Sequence, residues 1–450
     1  MNNKDIEWRS KKLERVRKEI ESGQLNALRE LIPDDVIRGL CDDCGYYFRT
    51  RLLTPLTTIF HMISAGISRE GSFQGAWQMN GQSGRSGPLS EARKRLPLEI
   101  WIQLHRWMMK EIEKESSSEK LWRGHRIIGV DGTCVSMSDE PSLVEHFGRW
   151  GSNYGPSQFP TARVVVAFNL ETLINVGHQT GPNKVSEKAL CRELIKEMRD
   201  GDVIVFDRLY SGSNLYAEYQ RAGLEFIGQT HKSLKIECLK VVKTLGAGDL
   251  LVEMPIHLCH RYKDSSLPKT IQARLIQSRK RTDQGRREDF WIATSLVDPT
   301  KYPKQEVIAW QKKRWKVETL IEEMKVWLGA DVLRSKSVEG IYKEVYARLV
   351  GLNLIHWLIL KATQKHHKKV ENLSVSTALR LAASYSLKMS TAPAWQLPLL
   401  YDQLLGQIAA SKVPYRPNRL EPRMKKRDGN HYPKLKISRS EWRLLHDIAA

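Results

Sequence analysis

The stretch that organises this chain covers residues 311–325 and has the sequence QKKRWKVETLIEEMK. Apolar residues recur in and just after it at three- and four-residue spacing, which predicts an amphipathic helix. The apolar positions are Val317, Ile321, Met324 and Leu328. A second row, with the same spacing, lies beside this apolar stripe and is mostly charged. Its members are Gln311, Arg314, Glu318, Glu322 and Lys325. We therefore expect one helix with adjoining apolar and charged faces.

The charged row has two interpretations. Charge runs on helices usually form a solvated surface with salt bridges. Here the charged row adjoins the apolar stripe instead of opposing it, so Glu318 is expected at the boundary of the core. That position favours a functional carboxylate, provided that other elements bring matching groups to it.

Two predicted strands upstream each present an aspartate that can meet Glu318. Residues 126–135 form an apolar run with Asp131 near its middle, and residues 202–208 form a short β-branched run that leads into Asp207. A carboxylate in such a run is costly to bury unless it is paired or binds a metal. Carboxylate oxygen is the ligand that Mg²⁺ prefers, and two such ions can clamp the attacking and leaving oxygens of a phosphodiester.

Three motifs, in this order, resemble the catalytic blocks of the DDE transposases. They are Val-Asp-Gly-Thr at 130–133, Phe-Asp-Arg-Leu-Tyr-Ser-Gly at 206–212, and the set Arg314, Glu318 and Lys325. The last block is similar to the signature of the bacterial IS-four family, in which a tyrosine precedes the arginine, glutamate and lysine. Gln311 stands at the tyrosine position, so the chain departs from the signature there.

The resemblance implies which residues act. Asp131, Asp207 and Glu318 would be the catalytic residues and the ligands of two Mg²⁺ ions, for which Mn²⁺ substitutes. The charged partners on the glutamate's helix would hold the terminal phosphate by charge-assisted hydrogen bonds. The DNA contacts expected from these blocks are Arg314, Lys325, Arg208 and Gln311.

The strand pattern after residue 122 predicts an α/β fold. Strands are expected at 126–136, 162–170, 173–180 and 202–207, with a loop at 150–156 and a helix at 184–199. The resemblance implies a ribonuclease-H-like catalytic core over 121–230 and 296–362. In that fold the first and fourth strands lie side by side, which would bring Asp131 and Asp207 together.

Short strands between turn residues continue in segment 231–295, which resembles the β-rich insertion of the family. In the family a tryptophan of this insertion receives a base flipped from the DNA end, and Trp291 is the positional candidate. Stacking of this kind is worth about 1–3 kcal/mol per base. A buried core tryptophan is an equally weighted alternative.

Helical regions are predicted to flank this core. Residues 1–120 are expected to form a DNA-end-binding domain, in which a glycine-rich loop at 80–88 precedes a basic helix. The positive charges of that helix are Arg93, Lys94 and Arg95. A helical subdomain that only packs on the core is the alternative. Residues 363–450 are expected to be helical with a basic tail at 415–427, which either meets phosphate or stays solvated.

The composition indicates an anionic partner. The chain has 450 residues and a formal net charge of +21. Such a balance suits nucleic acid, and a ribosome-associated or merely basic protein is the alternative. No uninterrupted apolar run is long enough to span a bilayer, and the N-terminus does not resemble a signal peptide. We therefore expect no membrane partner and a cytoplasmic, DNA-associated location in a bacterium.

Together these features predict a transposase that excises and inserts a DNA segment by two-metal phosphoryl transfer. Its expected partner is double-stranded DNA, both the element ends and the target, bound by a homodimer. Two other classes remain open: a metal-dependent nuclease of the same fold, and a non-catalytic DNA-binding regulator descended from a transposase. Strand-transfer products from a pre-cut end would distinguish a transposase from the nuclease. Metal-dependent nicking would exclude the non-catalytic regulator.

Overall fold

The computed structural model describes residues 31–49, 53–67, 72–79, 84–115, 121–152, 155–281, 287–413 and 439–445. The chain forms two compact units. The sheet unit consists of Glu111–Cys134 and Arg163–Glu322, and the helical unit contains the described parts of Met1–Lys110, Val135–Ala162 and Glu323–Ala450. The basic tail predicted at 415–427 lies outside the described residues, as do residues 80–83 of the predicted glycine-rich loop.

The described helices are distributed over both units. They are α1 (Asp34–Asp43), α2 (Pro55–Ile67), α3 (Phe73–Met79), α4 (Gly87–Arg95), α5 (Leu98–Glu115), α6 (Pro141–Phe147), α7 (Glu187–Ile195), α8 (Ser213–Arg221), α9 (Leu258–Lys263), α10 (Lys304–Lys313), α11 (Trp315–Glu322), α12 (Val338–His366), α13 (Val375–Thr391), α14 (Leu397–Ala410) and α15 (Arg439–Leu445). Short 3₁₀ turns cover Arg208–Tyr210, Ile236–Cys238, Val370–Asn372 and Ala394–Gln396, and a π-helical turn covers Glu323–Trp327.

The described strands follow one another mainly in the middle of the chain. They are β1 (Ile127–Met137), β2 (Arg149–Ser152), β3 (Gly155–Asn169), β4 (Asn175–Pro182), β5 (Val203–Phe206), β6 (Glu225–Gln229), β7 (Lys240–Gly246), β8 (Asp249–Pro255), β9 (Thr270–Arg281), β10 (Arg287–Thr294) and β11 (Val332–Leu333).

The central strands of the sheet unit are parallel. β5 consists of four apolar residues, all buried, as expected for a parallel strand that is covered on both faces. It pairs with β1 on one side and with β6 on the other, and β3 lies beyond β1. The predicted strands at 126–136 and 202–207 are therefore neighbours, which confirms that part of the sequence prediction.

The predicted insertion continues this sheet. β10 pairs antiparallel with β6, and β9, β8 and β7 follow in that order. Arg274 on β9 is fully buried, where its guanidinium forms an ion pair with Asp249 at 2.6 Å and donates to the Tyr302 carbonyl oxygen at 2.7 Å. Segment 231–295 is thus joined to the core by a hydrogen-bonded ladder, because β10 satisfies the backbone groups that β6 would otherwise leave unpaired.

One local prediction was wrong. The segment 150–156 was predicted to be a loop because of its glycines, serine and proline. In the structure β2 pairs antiparallel with the beginning of β3, with a register irregularity between Arg149 and Gly151. Pairing satisfies the backbone groups of these residues, which overrides their low strand propensity.

Aromatic residues fill the core beside β5. The rings of Tyr216 on α8 and Phe226 on β6 stack with centroids 4.4 Å apart, and Phe206 packs against both. Gly228 faces Phe206, and a Cβ atom at this position would lie 1.9 Å from Phe206 Cε2. The missing side chain of Gly228 is therefore what leaves room for the aromatic ring next to Asp207.

The helical unit is built around α12. Of the described helices it alone is long and apolar enough to cross a membrane, and 89% of its most apolar window is buried within the protein. It packs against α2, α13 and α14. Two charged residues are buried on it as an ion pair, with Arg348 Nη2 at 3.0 Å from Glu344 Oε1. Its burial is typical of the core helix of a globular protein.

We expect Gly228→Ala to lower the free energy of unfolding by about 1–3 kcal/mol, because the added methyl group must displace Phe206. Gly39→Ala is the control: Gly39 is an exposed residue within α1, and an added Cβ would meet nothing within 4 Å. Alanine there should stabilise the helix by up to about 1 kcal/mol. Urea unfolding followed by circular dichroism measures both, and equal effects would contradict the packing role of Gly228.

Candidate active site

Strand register places the two predicted aspartates at the same level of neighbouring strands. Gly129 of β1 pairs with Val205 of β5, and Asp131 and Asp207 each follow two residues later. This is the carboxyl end of β5, where ligands bind in α/β sheets. Asp207 Oδ1 accepts a hydrogen bond from the Leu209 amide at 2.8 Å and so begins the 3₁₀ turn that follows. Both side chains therefore have defined positions at one edge of the sheet.

The helix α11 meets β1 at Gly129. A Cβ atom here would lie 2.4 Å from Val317 Cγ2 and 2.8 Å from Leu170 Cδ2, so glycine is needed for this close approach. Val317 is fully buried, and Glu318 follows it on the helix. The contact therefore brings Glu318 to the part of β1 that carries Asp131.

Arg314 connects two of the three predicted carboxylates. Its Nη1 donates to Asp131 Oδ2 at 3.1 Å, and its Nη2 donates to Glu318 Oε1 at 2.9 Å. The Arg314 side chain is only 10% exposed, whereas that of Glu318 is 43% exposed. One guanidinium thus holds both carboxylates, and the glutamate remains open to solvent.

The Asp131 carboxyl has an unusual environment. Burial raises its pKa to about 6. The Gly132 amide and the Arg314 guanidinium lower this pKa, whereas the nearby carboxylates of Asp207 and Glu318 raise it. The three predicted carboxylates therefore influence one another electrostatically.

This set of carboxylates fits a divalent cation by its chemistry. In the described part of the chain, no three His, Cys, Asp or Glu side chains are close enough together to hold a metal ion. Asp131 and Glu318 instead both pair with the Arg314 guanidinium, so the two carboxylates share one positive charge. Hard divalent ions prefer carboxylate oxygens of this kind.

Sequence reasoning missed a contact beside Asp131. A Cβ atom on Gly132 would lie 2.4 Å from Glu187 Oε2 and 2.9 Å from the Tyr210 hydroxyl oxygen. Tyr210 donates to Glu187 Oε2 at 3.2 Å, and burial raises the pKa of its hydroxyl, so it stays a neutral donor. Tyr210 lies in the motif at 206–212, but Glu187 has no sequence signal beyond its place in a predicted helix.

The structure divides the predicted amphipathic helix. α10 ends at Lys313, α11 runs from Trp315 to Glu322, and a π-helical turn follows at Glu323–Trp327. The Leu328 amide donates to the Glu323 carbonyl oxygen at 3.3 Å, which is the i→i+5 bond of a π turn. The prediction of one continuous α-helix was therefore wrong, because this wider turn changes the helical period.

Lys325 lies in that π-helical turn, within the helical unit. Its Nζ is 3.1 Å from Asp331 Oδ1, and its side chain is 27% exposed. Arg314 and Glu318 belong to the sheet unit. The predicted phosphate contact by Lys325 stays a prediction.

Gln311 occupies the position of the signature tyrosine and is buried. Its Nε2 donates to the Phe206 carbonyl oxygen at 3.1 Å, which ties α10 to the end of β5. Its Oε1 has no hydrogen-bond partner among the described residues. This position indicates support of Asp207, the residue after Phe206, in addition to the predicted role in DNA contact.

Two further predicted DNA contacts lie in the sheet unit. Arg208 follows Asp207 in the 3₁₀ turn and is partly buried. Trp291 on β10 is partly buried against the core of the sheet, and its carbonyl oxygen accepts a hydrogen bond from the Thr230 amide at 2.9 Å. Base stacking by Trp291 and phosphate contact by Arg208 stay predictions.

The three predicted basic residues of α4 have different environments. Arg93 points inward, where its Nη1 donates to Ser335 Oγ at 3.1 Å and its guanidinium lies 4.0 Å from the centre of the Phe73 ring. Lys94 and Arg95 are exposed. The structure therefore leaves the last two available at the surface of the helical unit.

Comparisons with known proteins agree with these features. The family described as "Transposase DDE domain" matches residues 122–354. "Transposase InsG for insertion sequence element IS4" from Escherichia coli (strain K12) is 25% identical over 321 residues, which cover 69% of this chain and 70% of that protein. A solved structure of a piggyBac transposase synaptic complex with hairpin DNA aligns over 85% of this chain and 84% of that one, with 13% identity and a TM-score of 0.44.

Replacing Gln311 distinguishes its two roles. We expect Gln311→Met, which keeps the volume but removes the donor to the Phe206 carbonyl, to lower the free energy of unfolding by about 1 kcal/mol. DNA affinity should change little if Gln311 only supports the end of β5. Urea unfolding and a gel-shift titration with duplex DNA measure the two effects. Normal stability combined with weakened DNA binding would contradict the supporting role.

Proposed function

The chain belongs to the DDE transposase family, and we propose that Asp131, Asp207 and Glu318 are the catalytic carboxylates of its DNA cleavage and strand-transfer reaction. The protein is a DNA transposase of the type found in insertion sequences. The shared Arg314 guanidinium carries the site assignment, because it joins residues that are far apart in sequence into one charged cluster. An isolated surface salt bridge would not require both carboxylates to face a nearly buried arginine.

We propose that the sheet unit contains a ribonuclease-H-like core. The parallel pair of β1 and β5 supports this assignment, because Asp131 within β1 lies at the same level as Asp207, which directly follows β5. The third carboxylate comes from a helix packed directly on β1 at Gly129. Rigid elements therefore carry all three groups, which suits a site that must hold reacting atoms in a defined geometry.

The proposed cofactor is Mg²⁺, for which Mn²⁺ would substitute. When bound, such ions activate water or a DNA 3′-hydroxyl and neutralise the charge on the leaving oxygen. Asp131, Asp207 and Glu318 would supply the oxygen ligands. The Leu209 amide holds one oxygen of Asp207, and the Gly132 amide holds one oxygen of Asp131, so each aspartate is oriented by its own backbone neighbour.

The remaining groups would bind DNA. Arg314 and Lys325 would contact the phosphates next to the scissile bond, and Trp291 would stack on an unpaired base. The formal net charge of +21 indicates many phosphate contacts, and the exposed Lys94 and Arg95 are candidates for them. We propose a homodimer on the DNA ends and a location in the bacterial cytoplasm.

The carboxylates are tested by single substitutions. We expect Asp131→Ala, Asp207→Ala and Glu318→Ala to abolish cleavage but leave DNA affinity nearly unchanged, because these groups hold metal and a chain with a net charge of +21 has many other residues to contact phosphate. The matched control is Glu322→Ala, since Glu322 is an exposed carboxylate on the same helix. Nicking of a duplex with the element's own ends, and strand transfer from pre-cut ends, are the measurements. Substantial cleavage by any of the three variants would remove that residue from the site.

Lys325 is tested against the cleaved product. We expect Lys325→Ala to weaken the complex with cleaved ends more than the complex with uncut DNA, because its proposed partner is the terminal phosphate. Lys336→Ala is the control, since Lys336 also pairs with a carboxylate in the helical unit, 3.0 Å from Glu140. Gel-shift titrations with both DNA forms measure the ratio. Equal weakening of the two complexes would assign Lys325 to general charge attraction.

A further inference from the structure

Arg314 has two proposed partners that it cannot bind with the same atoms at once. Its Nη1 and Nη2 atoms donate to Asp131 Oδ2 and Glu318 Oε1 at 3.1 Å and 2.9 Å. The two terminal nitrogens are thus both occupied by carboxylates, and bidentate binding of a phosphate needs the same two nitrogens. Contact with a DNA phosphate through these two nitrogens therefore requires that Arg314 leave the carboxylates.

The same two carboxylates would supply oxygen ligands to a divalent cation. Asp131 is partly buried and Arg314 is nearly buried, so the charge between them is poorly screened by water. A divalent ion brought between Asp131 and Glu318 would repel the guanidinium at close range. The two cations therefore compete for one position.

We propose that Arg314 is an internal counter-cation, which occupies the metal position between Asp131 and Glu318 in the free protein and is displaced onto a DNA phosphate when the metal binds. This proposal rests on the metal site assigned under the proposed function, and it adds the order of events: metal binds first, and Arg314 then contacts phosphate. Metal binding and phosphate binding are coupled, because the first releases the side chain that carries out the second. If bound metal raises the affinity for DNA by some factor, linkage requires that bound DNA raise the affinity for metal by the same factor.

An exposed aromatic residue lies next to Arg314 on the solvent side. Arg314 stands at the junction of α10 and α11, beside Trp315, which is 65% exposed. The guanidinium carbon is 5.6 Å from the centre of that ring, within the range of a cation–π contact. The guanidinium therefore already contacts an exposed ring while it bridges the carboxylates, and a short movement toward solvent can keep that contact.

The chain offers a matched control for this arrangement. Arg126 also bridges two carboxylates in the sheet unit, since it forms ion pairs with Glu113 and, at 2.6 Å, with Asp202. Neither carboxylate belongs to the proposed metal site, and the Asp202 side chain is only 3% exposed. Arg126→Gln thus removes a bridging arginine without opening the candidate site.

The test is binding of Mn²⁺ to the full-length chain without DNA, measured by the loss of the free-ion signal in electron paramagnetic resonance. We expect Arg314→Gln to bind Mn²⁺ about tenfold more tightly than the unsubstituted chain, because the competing cation is gone. Arg126→Gln should leave the affinity unchanged. Adding duplex DNA should tighten Mn²⁺ binding by the unsubstituted chain but have little effect on Arg314→Gln.

The outcomes separate the two proposals. If Arg314→Gln binds Mn²⁺ no more tightly than the unsubstituted chain, while Glu318→Gln loses Mn²⁺ binding, then the proposed displacement of Arg314 (the exchange) is wrong. The metal site itself is kept in that case. Mn²⁺ binding that is equal in Arg314→Gln and in the double variant Arg314→Gln/Glu318→Gln overturns the metal site itself. If Arg314→Gln does not fold, Arg314→Met replaces it: a methionine keeps much of the apolar stem but has neither the charge nor the donors that hold the two carboxylates. An affinity no tighter than that of the unsubstituted chain would then overturn the exchange.

Discussion

The candidate site depends on the close approach of α11 to β1. Because Gly129 has no side chain, Val317 can lie against the backbone of β1, and the next residue of the helix is Glu318. Arg314 is one turn earlier on the same side, which puts its guanidinium within reach of both Glu318 and Asp131. A side chain at Gly129 would push the helix away and separate these charges.

The sheet unit contains two clusters in which one arginine bridges two carboxylates, and they differ in exposure. Arg126 precedes β1, and its main partner Asp202 is almost fully buried, so this cluster is closed and ties α5 to the beginning of β1 and β5. Arg314 is equally enclosed, but its partner Glu318 is 43% exposed. Burying a charge is costly unless it is paired, and breaking a buried pair costs more than breaking an exposed one. The first cluster is therefore suited to structure, whereas the second can exchange partners.

Paired strands connect Trp291, a predicted DNA contact, to the strand that precedes Asp207. Trp291 lies on β10, which pairs with β6, and β6 pairs with β5, the strand that leads to Asp207. The buried ion pair of Arg274 and Asp249 fastens the outer strands of this ladder. Trp291 and Asp207 are thus connected through hydrogen-bonded strands and not through a hinge. A base bound by Trp291 would stay at a fixed distance from the proposed catalytic carboxylates.

The sequence by itself determined the local elements and the chemistry. The residue pattern predicted β1, β3, β4 and β5, since such local patterns reflect which side of an element is buried. The motifs around Asp131, Asp207 and Glu318 indicated a transposase because, in order, they resemble the catalytic blocks of the DDE family, and their carboxylates suit metal-dependent phosphoryl transfer.

Only the tertiary structure decided which residues contact one another. Glycine at 129 permits α11 to approach β1, and segment 231–295 joins the sheet through β10. Gln311 turns inward to the Phe206 carbonyl, and Arg93 turns inward to Ser335. Local periodicity contains no information on such choices, because they depend on strand register and packing between residues that are far apart in the chain.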